Sequence, residues 1–404
     1  MPAVVLKSET LYCVTAVKSL FYYHGSKEIF MEIIYKNLLQ NFQWQQLVMW
    51  LIGGVLIYLA IKKDMEPTLL LPIGFGAILV NIPFSGAVDQ LISDGKTERG
   101  ALSVLFDAGI TNELFPLILF IGIGAMIDFG PLLANPKLMI FGAAAQFGIF
   151  FTLCTASMFF PINDAASIAI IGAADGPTAI VVAQKLGSQY LGAIMVAAYS
   201  YMALVPIIQP PVIKLLTTKK ERLIKMPYEN KQVSRLTKIL FPIVVTVIAG
   251  LIAPSSVSLV GFLMFGNLIR ECGRLDSLSQ TAQNTLANLV TIVLGITIAS
   301  QMRAEQFLRK ETLIIMGLGL FAFIFDTAGG VLFAKFLNLF LKNKINPMIG
   351  AAGISAFPMS GRIVHKMGRD EDPQNFLLMH SIGVNVSGQI ASVIAGGLVL
   401  NYFM

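Results

Sequence analysis

Long apolar runs dominate this chain, and two of them are broken by polar and helix-breaking residues. Apolar segments fall at about 46–62, 68–84, 114–133, 137–160, 190–213, 236–252, 256–270, 286–302, 313–341 and 376–403. Most reach the ~17–25 residues that carry a helix across a bilayer, and the shorter ones can tilt or re-enter. Two further stretches, 163–185 and 345–364, are apolar but carry Gly, Pro, Ser, Thr and Asn. Irregular backbone at membrane depth is tolerated only where protein or a water-filled cavity surrounds it. The pattern predicts an all-α integral membrane protein of about ten transmembrane helices plus two re-entrant hairpins.

The halves resemble each other. Ile171-Gly172-Ala173-Ala174 recurs as Ile349-Gly350-Ala351-Ala352, each beside a proline (Pro177, Pro347). Ile121-Gly122-Ile123 parallels Leu294-Gly295-Ile296, and the run ending at Gly142 parallels the run ending at Gly317. Three matches in order at a nearly constant offset indicate an internal repeat, and transporters built this way place their site between the repeats. The expected division is a 1–30 extension, a first membrane helix in 31–66, repeat one over 67–213, a basic loop over 214–238 and repeat two over 239–404. We expect the repeats to be inverted. Residues 1–30 lack a signal-peptide pattern and read as a start-site extension.

Composition narrows the class. Of 404 residues 55% are hydrophobic and 13% charged, where soluble domains carry about 25% charged residues. Three cysteines and three histidines are scattered and form no metal or redox motif. The pI of about 9.1 comes from one place. Lys214, Lys219, Lys220, Arg222, Lys225, Lys231, Arg235 and Lys238 stand against Glu221 and Glu229, an excess matching the whole chain's net charge of +6. A basic loop of this kind stays in the cytoplasm and sets topology, so nucleic acid is not the expected partner.

Asp175, followed by Gly176-Pro177-Thr178, is the leading functional candidate. A carboxylate inside an apolar run is costly and marks an ion path. With Thr178 and the carbonyls freed at a helix break it suits a hard cation such as Na+. The plainer alternative is an Asp that caps a short helix. Asn346, Gly350 and Ser355 in the second interrupted stretch offer an amide, freed backbone and a hydroxyl. Arg362 can hold a substrate carboxylate in two hydrogen bonds, or can merely snorkel beside Lys366 and Arg369. Asn385 and Gln389 lie four apart on one helical face, as a pair of cation ligands or inter-helix hydrogen-bonders would, within a string from Asn385 to Ser392 whose small residues can serve packing alone. Tyr201, away from the interfaces, can relay a proton. Asp326 is a secondary candidate, and Asp128 falls at a helix end.

Gly172 to Ile180, Asn346 to Arg362 and Asn385 to Ser392, found in this order, resemble the beta subunit of the biotin-dependent, sodium-pumping decarboxylases. The resemblance runs from about Met31 to the C-terminus. It implies that Asp175 is the Na+-binding, coupling carboxylate, and that Tyr201 handles a proton. It implies a Na+ site drawn from Asp175, Thr178, Asn346, Gly350, Ser355 and Asn385, with Arg362 and Ser355 on carboxybiotin and Asp175, Tyr201 and Arg362 in catalysis. The implied partners are a carboxyltransferase (alpha) subunit, a biotin carrier, a small single-span subunit and further copies of this chain, in a prokaryotic cytoplasmic membrane. From physics alone a plain ion-coupled transporter without chemistry remains open, and a purely structural membrane subunit is the third option.

Overall fold

The computed structural model describes residues 42–91, 96–227 and 232–404. The expected extension at 1–30, the start of the first membrane segment, and Glu229 and Lys231 of the basic loop lie outside the described residues. Among the described residues the fold is all-α, apart from a two-residue ladder pairing Gln90 with Glu98 and Leu91 with Thr97. Its main helices are α1 (Trp44–Lys63), α2 (Pro67–Val80), α3 (Ala101–Gly109), α4 (Leu114–Met126), α5 (Met139–Ala145), α6 (Phe147–Ala156), α7 (Ile162–Ala169) and α8 (Gly176–Lys185). There follow α9 (Leu191–Leu216), α10 (Arg235–Ile252), α11 (Val257–Glu271), α12 (Ala287–Ile298), α13 (Lys310–Phe340), α14 (Met359–Glu371) and α15 (Leu378–Phe403).

Every expected apolar segment coincides with a helix. Among the described residues seven helical stretches are long and apolar enough to span a bilayer, or eight if the bent pair α3 and α4 is one span. That pair bends by 65°, where Glu113 takes a left-handed φ of 62°. The sequence pattern missed α3 because Ser103 and Asp107 break its short apolar run and Thr111-Asn112-Glu113 part it from α4. The segment expected as one helix at 137–160 is divided at Gln146, between α5 and α6. The segment at 286–302 extends further back, through a π turn at Thr281–Leu286 to Asp276.

The helices divide by surroundings. In α15, 78% of the most apolar stretch is buried in protein, against 11% in α10 and 17% in α1. Only the first must satisfy neighbours on every side; the other two present Leu, Ile and Val outward, as lipid-facing helices do. Small residues let the inner helices approach closely, as in membrane bundles generally. A Cβ at Gly350 would overlap the Gly330 carbonyl, and one at Gly388 would overlap the Gly353 carbonyl. These crossings seat the second interrupted stretch between α13 and α15.

Candidate functional site

Both interrupted stretches are broken where their composition indicated. The first runs through α7 and a 3-10 turn at Ile170–Ala173, then turns at Ala174, whose φ is 52°. A non-glycine residue there costs roughly 1–2 kcal/mol, so packing must impose it. Asp175 follows in extended conformation and α8 starts at Gly176, with Pro177 in the first turn where its missing N–H is harmless. The second runs as a 3-10 helix over Pro347–Gly353, leaves helical geometry at Ile354, and resumes as α14. The breaks meet: the N–H of Ser355 donates to the carbonyl of Ala173 at 3.0 Å.

Asp175 is the N-cap of α8, as the plainer alternative held, since its Oδ1 accepts from the Thr178 N–H at 3.4 Å. Its other oxygen goes further. Oδ2 accepts from Thr178 Oγ1 at 2.7 Å, Ser392 Oγ at 2.9 Å and Gln389 Nε2 at 3.2 Å. Asp175, Thr178, Gln389 and Ser392 are all buried. A helix N-terminus and three side-chain donors thus hold the carboxylate against the middle of α15.

One turn earlier on α15, Asn385 Nδ2 donates to the carbonyl of Ile354 at 2.7 Å. Its Oδ1 is buried and has no donor among the described residues. Ser355 Oγ donates to the carbonyl of Gly388 at 3.2 Å. One face of α15 therefore touches both breaks. Carboxylate, hydroxyl, amide and carbonyl oxygens meet there, a set that suits a hard monovalent cation and lacks the nitrogen and sulfur ligands of a transition-metal site. Among the described residues no group of three or more His, Cys, Asp or Glu could hold a metal ion.

The other candidates lie elsewhere. Asn346 donates both amide hydrogens to the basic loop, to the carbonyls of Arg222 at 2.8 Å and Ile224 at 2.9 Å, while its Oδ1 caps the Met348 N–H at 3.1 Å. No hydrogen bond joins it to Asp175; it starts the 3-10 helix and fastens it to the loop. Gly350 serves the crossing with α13. Tyr201 is buried, and its hydroxyl donates to the Met316 carbonyl on α13. Arg362 is exposed in the first turn of α14. Burial pushes the carboxyl of Glu66, between α1 and α2, above its usual range, and the charge of Arg362 works against that rise. Asp128 caps the N–H of Gly130 near the end of α4.

Two residues escaped the sequence reading. Ser392 appeared there only as a small residue in a packing string. Tyr199, two residues before the expected Tyr201, lies against the start of α8: a Cβ on Gly176 would overlap its ring, and its buried hydroxyl has no partner among the described residues. The basic loop is fastened by ion pairs, Arg222 to Glu371 at 2.6 Å, Lys225 to Asp372 at 2.9 Å and its own Glu221 to Lys335 of α13 at 3.2 Å.

Comparison with known proteins adds a family. Residues 45–403 match the family described as the Na+-transporting oxaloacetate decarboxylase beta subunit. The chain is 49% identical over 374 residues to methylmalonyl-CoA decarboxylase subunit beta of Propionigenium modestum, covering 88% of this chain and 94% of that one. It is 50% identical over 360 residues to glutaconyl-CoA decarboxylase subunit beta of Acidaminococcus fermentans, covering 89% and 93%. It is also 45% identical over 413 residues to the oxaloacetate decarboxylase beta chain of Klebsiella pneumoniae, covering 89% and 95%.

Proposed function

The chain belongs to the family of Na+-transporting oxaloacetate decarboxylase beta subunits, and from that premise we propose that it decarboxylates carboxybiotin and couples this to outward Na+ transport. The observation that carries the reading is the buried Asp175 carboxylate, held by Thr178, Gln389 and Ser392 where the two broken stretches meet. Such a site needs no organic cofactor of its own. Na+ is cargo, and carboxybiotin arrives on a partner.

In this reading Na+ lies between the breaks. Asp175 supplies the negative charge, Thr178 and Ser392 turn their hydroxyl oxygens toward the ion, and Asn385 Oδ1 and Ser355 complete the shell from the second side. Asn346 and Gly350 act on the site by holding the second stretch in place, one against the loop and one against α13. Arg362, exposed in the first turn of α14, receives the carboxylate of carboxybiotin in two hydrogen bonds. Decarboxylation breaks the N–C bond, releases CO2, and leaves a biotin nitrogen that must take up a proton. Tyr201 is the proposed relay for that proton.

Moving one positive charge outward against 100 mV costs about 2.3 kcal/mol. Chemistry must therefore be tied to transport by a conformational switch, and rocking one bundle against the other supplies it. We read 67–213 and 239–404 as inverted repeats, 163–185 and 345–364 as their re-entrant hairpins, and the basic loop as cytoplasmic. The expected assembly contains a carboxyltransferase subunit, a biotin carrier, a small single-span subunit and further copies of this chain, in the inner membrane of a prokaryote. Similarity to proteins named as decarboxylase subunits favours this over a plain transporter.

The test is CO2 release from carboxybiotin by the assembled complex in proteoliposomes, titrated with NaCl against KCl. Sodium-dependent release, lost together with Na+ uptake in Asp175→Asn, is expected. Wild-type activity in that variant would overturn the reading.

A further inference from the structure

A second carboxylate is buried as deeply as the first, and the reading above does not use it. Asp326, midway along α13, is wholly inaccessible. Its Oδ1 accepts from the Ile149 N–H at 3.1 Å, in the first turn of α6 just past the division at Gln146. Its Oδ2 has no donor among the described residues. That oxygen faces Gly172: a Cβ there would stand 2.8 Å from Oδ2 and 2.9 Å from the Ala322 methyl. Gly172 belongs to the 3-10 turn that leads directly into Asp175.

Among the described residues no charged side chain compensates Asp326. The groups acting on its carboxyl are the backbone amides of Gly148 and Ile149. On the elements packed against it, Cys154 of α6 is exposed. Asp164 of α7 is held by Ser188 Oγ and the Gln189 N–H, and Asp175 by its own donors. Tyr201 of α9 is bonded to Met316, and Tyr199 lies against Gly176. Lys310, Glu311 and Lys335 sit toward the ends of α13, and Pro347–Gly353 holds no titratable group.

An ionised carboxylate with one oxygen unpaired in an apolar interior is costly. The N-terminus of α6 supports its charged form through Oδ1, while the walls around Oδ2 favour the neutral one. A cation would need several further oxygens at Oδ2, whose Gly172 side offers only backbone and the Ala322 methyl. A proton needs none. We propose that Asp326 is a proton-binding site, which takes up H+ on Oδ2 in one stage of the transport cycle and releases it in another. Through Gly172 its protonation state alters the packing of the turn that positions Asp175. The inference rests on the proposed function, in which each decarboxylation consumes one proton: the N–CO2− bond breaks, CO2 leaves, and the nitrogen becomes N–H.

Infrared difference spectra of the whole complex, acid minus alkaline, test it through the carbonyl stretch of a protonated carboxyl group. Asp326→Asn should remove one such band, and Asp175→Asn should leave that band in place. A carboxyl band unchanged in Asp326→Asn would overturn the proposal. A residue acting only as a helix cap gives that result, because Asn still accepts from Ile149. If Asp326→Asn does not assemble, Gly172→Ala crowds Oδ2 and should shift the band, whereas an unshifted band would be equally adverse. Sodium-independent CO2 release by the wild type would sink the proposed function instead, and the infrared result would still be readable.

Discussion

The N–H of Ser355 donates to the carbonyl of Ala173 at 3.0 Å, and this bond joins the two interrupted stretches at their breaks. Neither stretch could keep unpaired backbone groups in an apolar interior alone. Together they leave carbonyl and side-chain oxygens facing α15, so the breaks that weaken each helix create the site.

Ser392 and Gln389 are the α15 donors to Asp175. A hydrogen bond to a charged group contributes about 1.5–3 kcal/mol. Ser392→Ala should therefore weaken apparent Na+ affinity about 10- to 100-fold, and Gln389→Ala should weaken it by less, since its contact is longer. Sodium titration of CO2 release measures both. Unchanged affinity in Ser392→Ala would remove that hydroxyl from the site.

Gly350 and Gly317 should respond oppositely to alanine. At Gly350 the new methyl overlaps the Gly330 carbonyl, so the crossing of α13 with the second stretch must open and folded yield should fall. At Gly317, inside α13, nothing lies within 4 Å, and alanine should be neutral or stabilising by up to about 1 kcal/mol. Thermal stability in detergent separates the two. A tolerated Gly350→Ala would count against the tight crossing.

Asn346→Ala should free the loop rather than empty the proposed cation site. Both amide bonds to Arg222 and Ile224 would be lost. Faster hydrogen exchange and proteolysis around 217–226 are expected, with Na+ affinity changed far less than in Ser392→Ala. A large affinity loss with an unaltered loop would instead favour direct coordination by Asn346.

Asp89 gives a pH signature outside the membrane. The N–H of Gly100 and the Ser103 hydroxyl hold its carboxyl below the ordinary value of 3.8, against a small opposing effect of burial. Because the folded value is lowered, the stabilisation is fully present above 3.8 and is lost as pH falls through the lowered folded value. Protection of the Gly100 amide, bonded to Asp89 Oδ1 at 2.9 Å, should fall in that acid range and become pH-independent in Asp89→Asn. Protection that ignores pH in the wild type would contradict the assignment.

The most legible site residue was Asp175, because a charge beside Gly-Pro within an apolar run has few explanations. Local sequence paired it with Thr178 and put Gln389 on a polar face, but could not say which groups meet its second oxygen. Ser392 and Gln389 look like the small and polar residues that pack any membrane helix, and only the fold brings them to Oδ2. Tyr199 and Tyr201 differ by two positions and so face different neighbours, one the start of α8 and the other the Met316 carbonyl. Asn346 carries the donors and acceptor of a ligand, yet its donors reach backbone carbonyls more than a hundred residues earlier and its acceptor caps Met348. The division at Gln146 was invisible for the same reason: Asp326, which caps the helix beyond it, lies on another element. Sequence reported the breaks, since Gly and Pro act locally, and missed what distant side chains do to them.

The burial of α15 has a consequence for biogenesis. Of the described elements it is synthesised last, after both stretches it must hold. Until it inserts, Asp175 lacks Gln389 and Ser392, and the second stretch lacks Asn385. The earlier helices must wait in the membrane with a groove held open for it. Assembly of the site therefore waits for the last of the described elements, and a chain stalled before α15 should carry an unsealed polar seam that quality-control proteases can recognise.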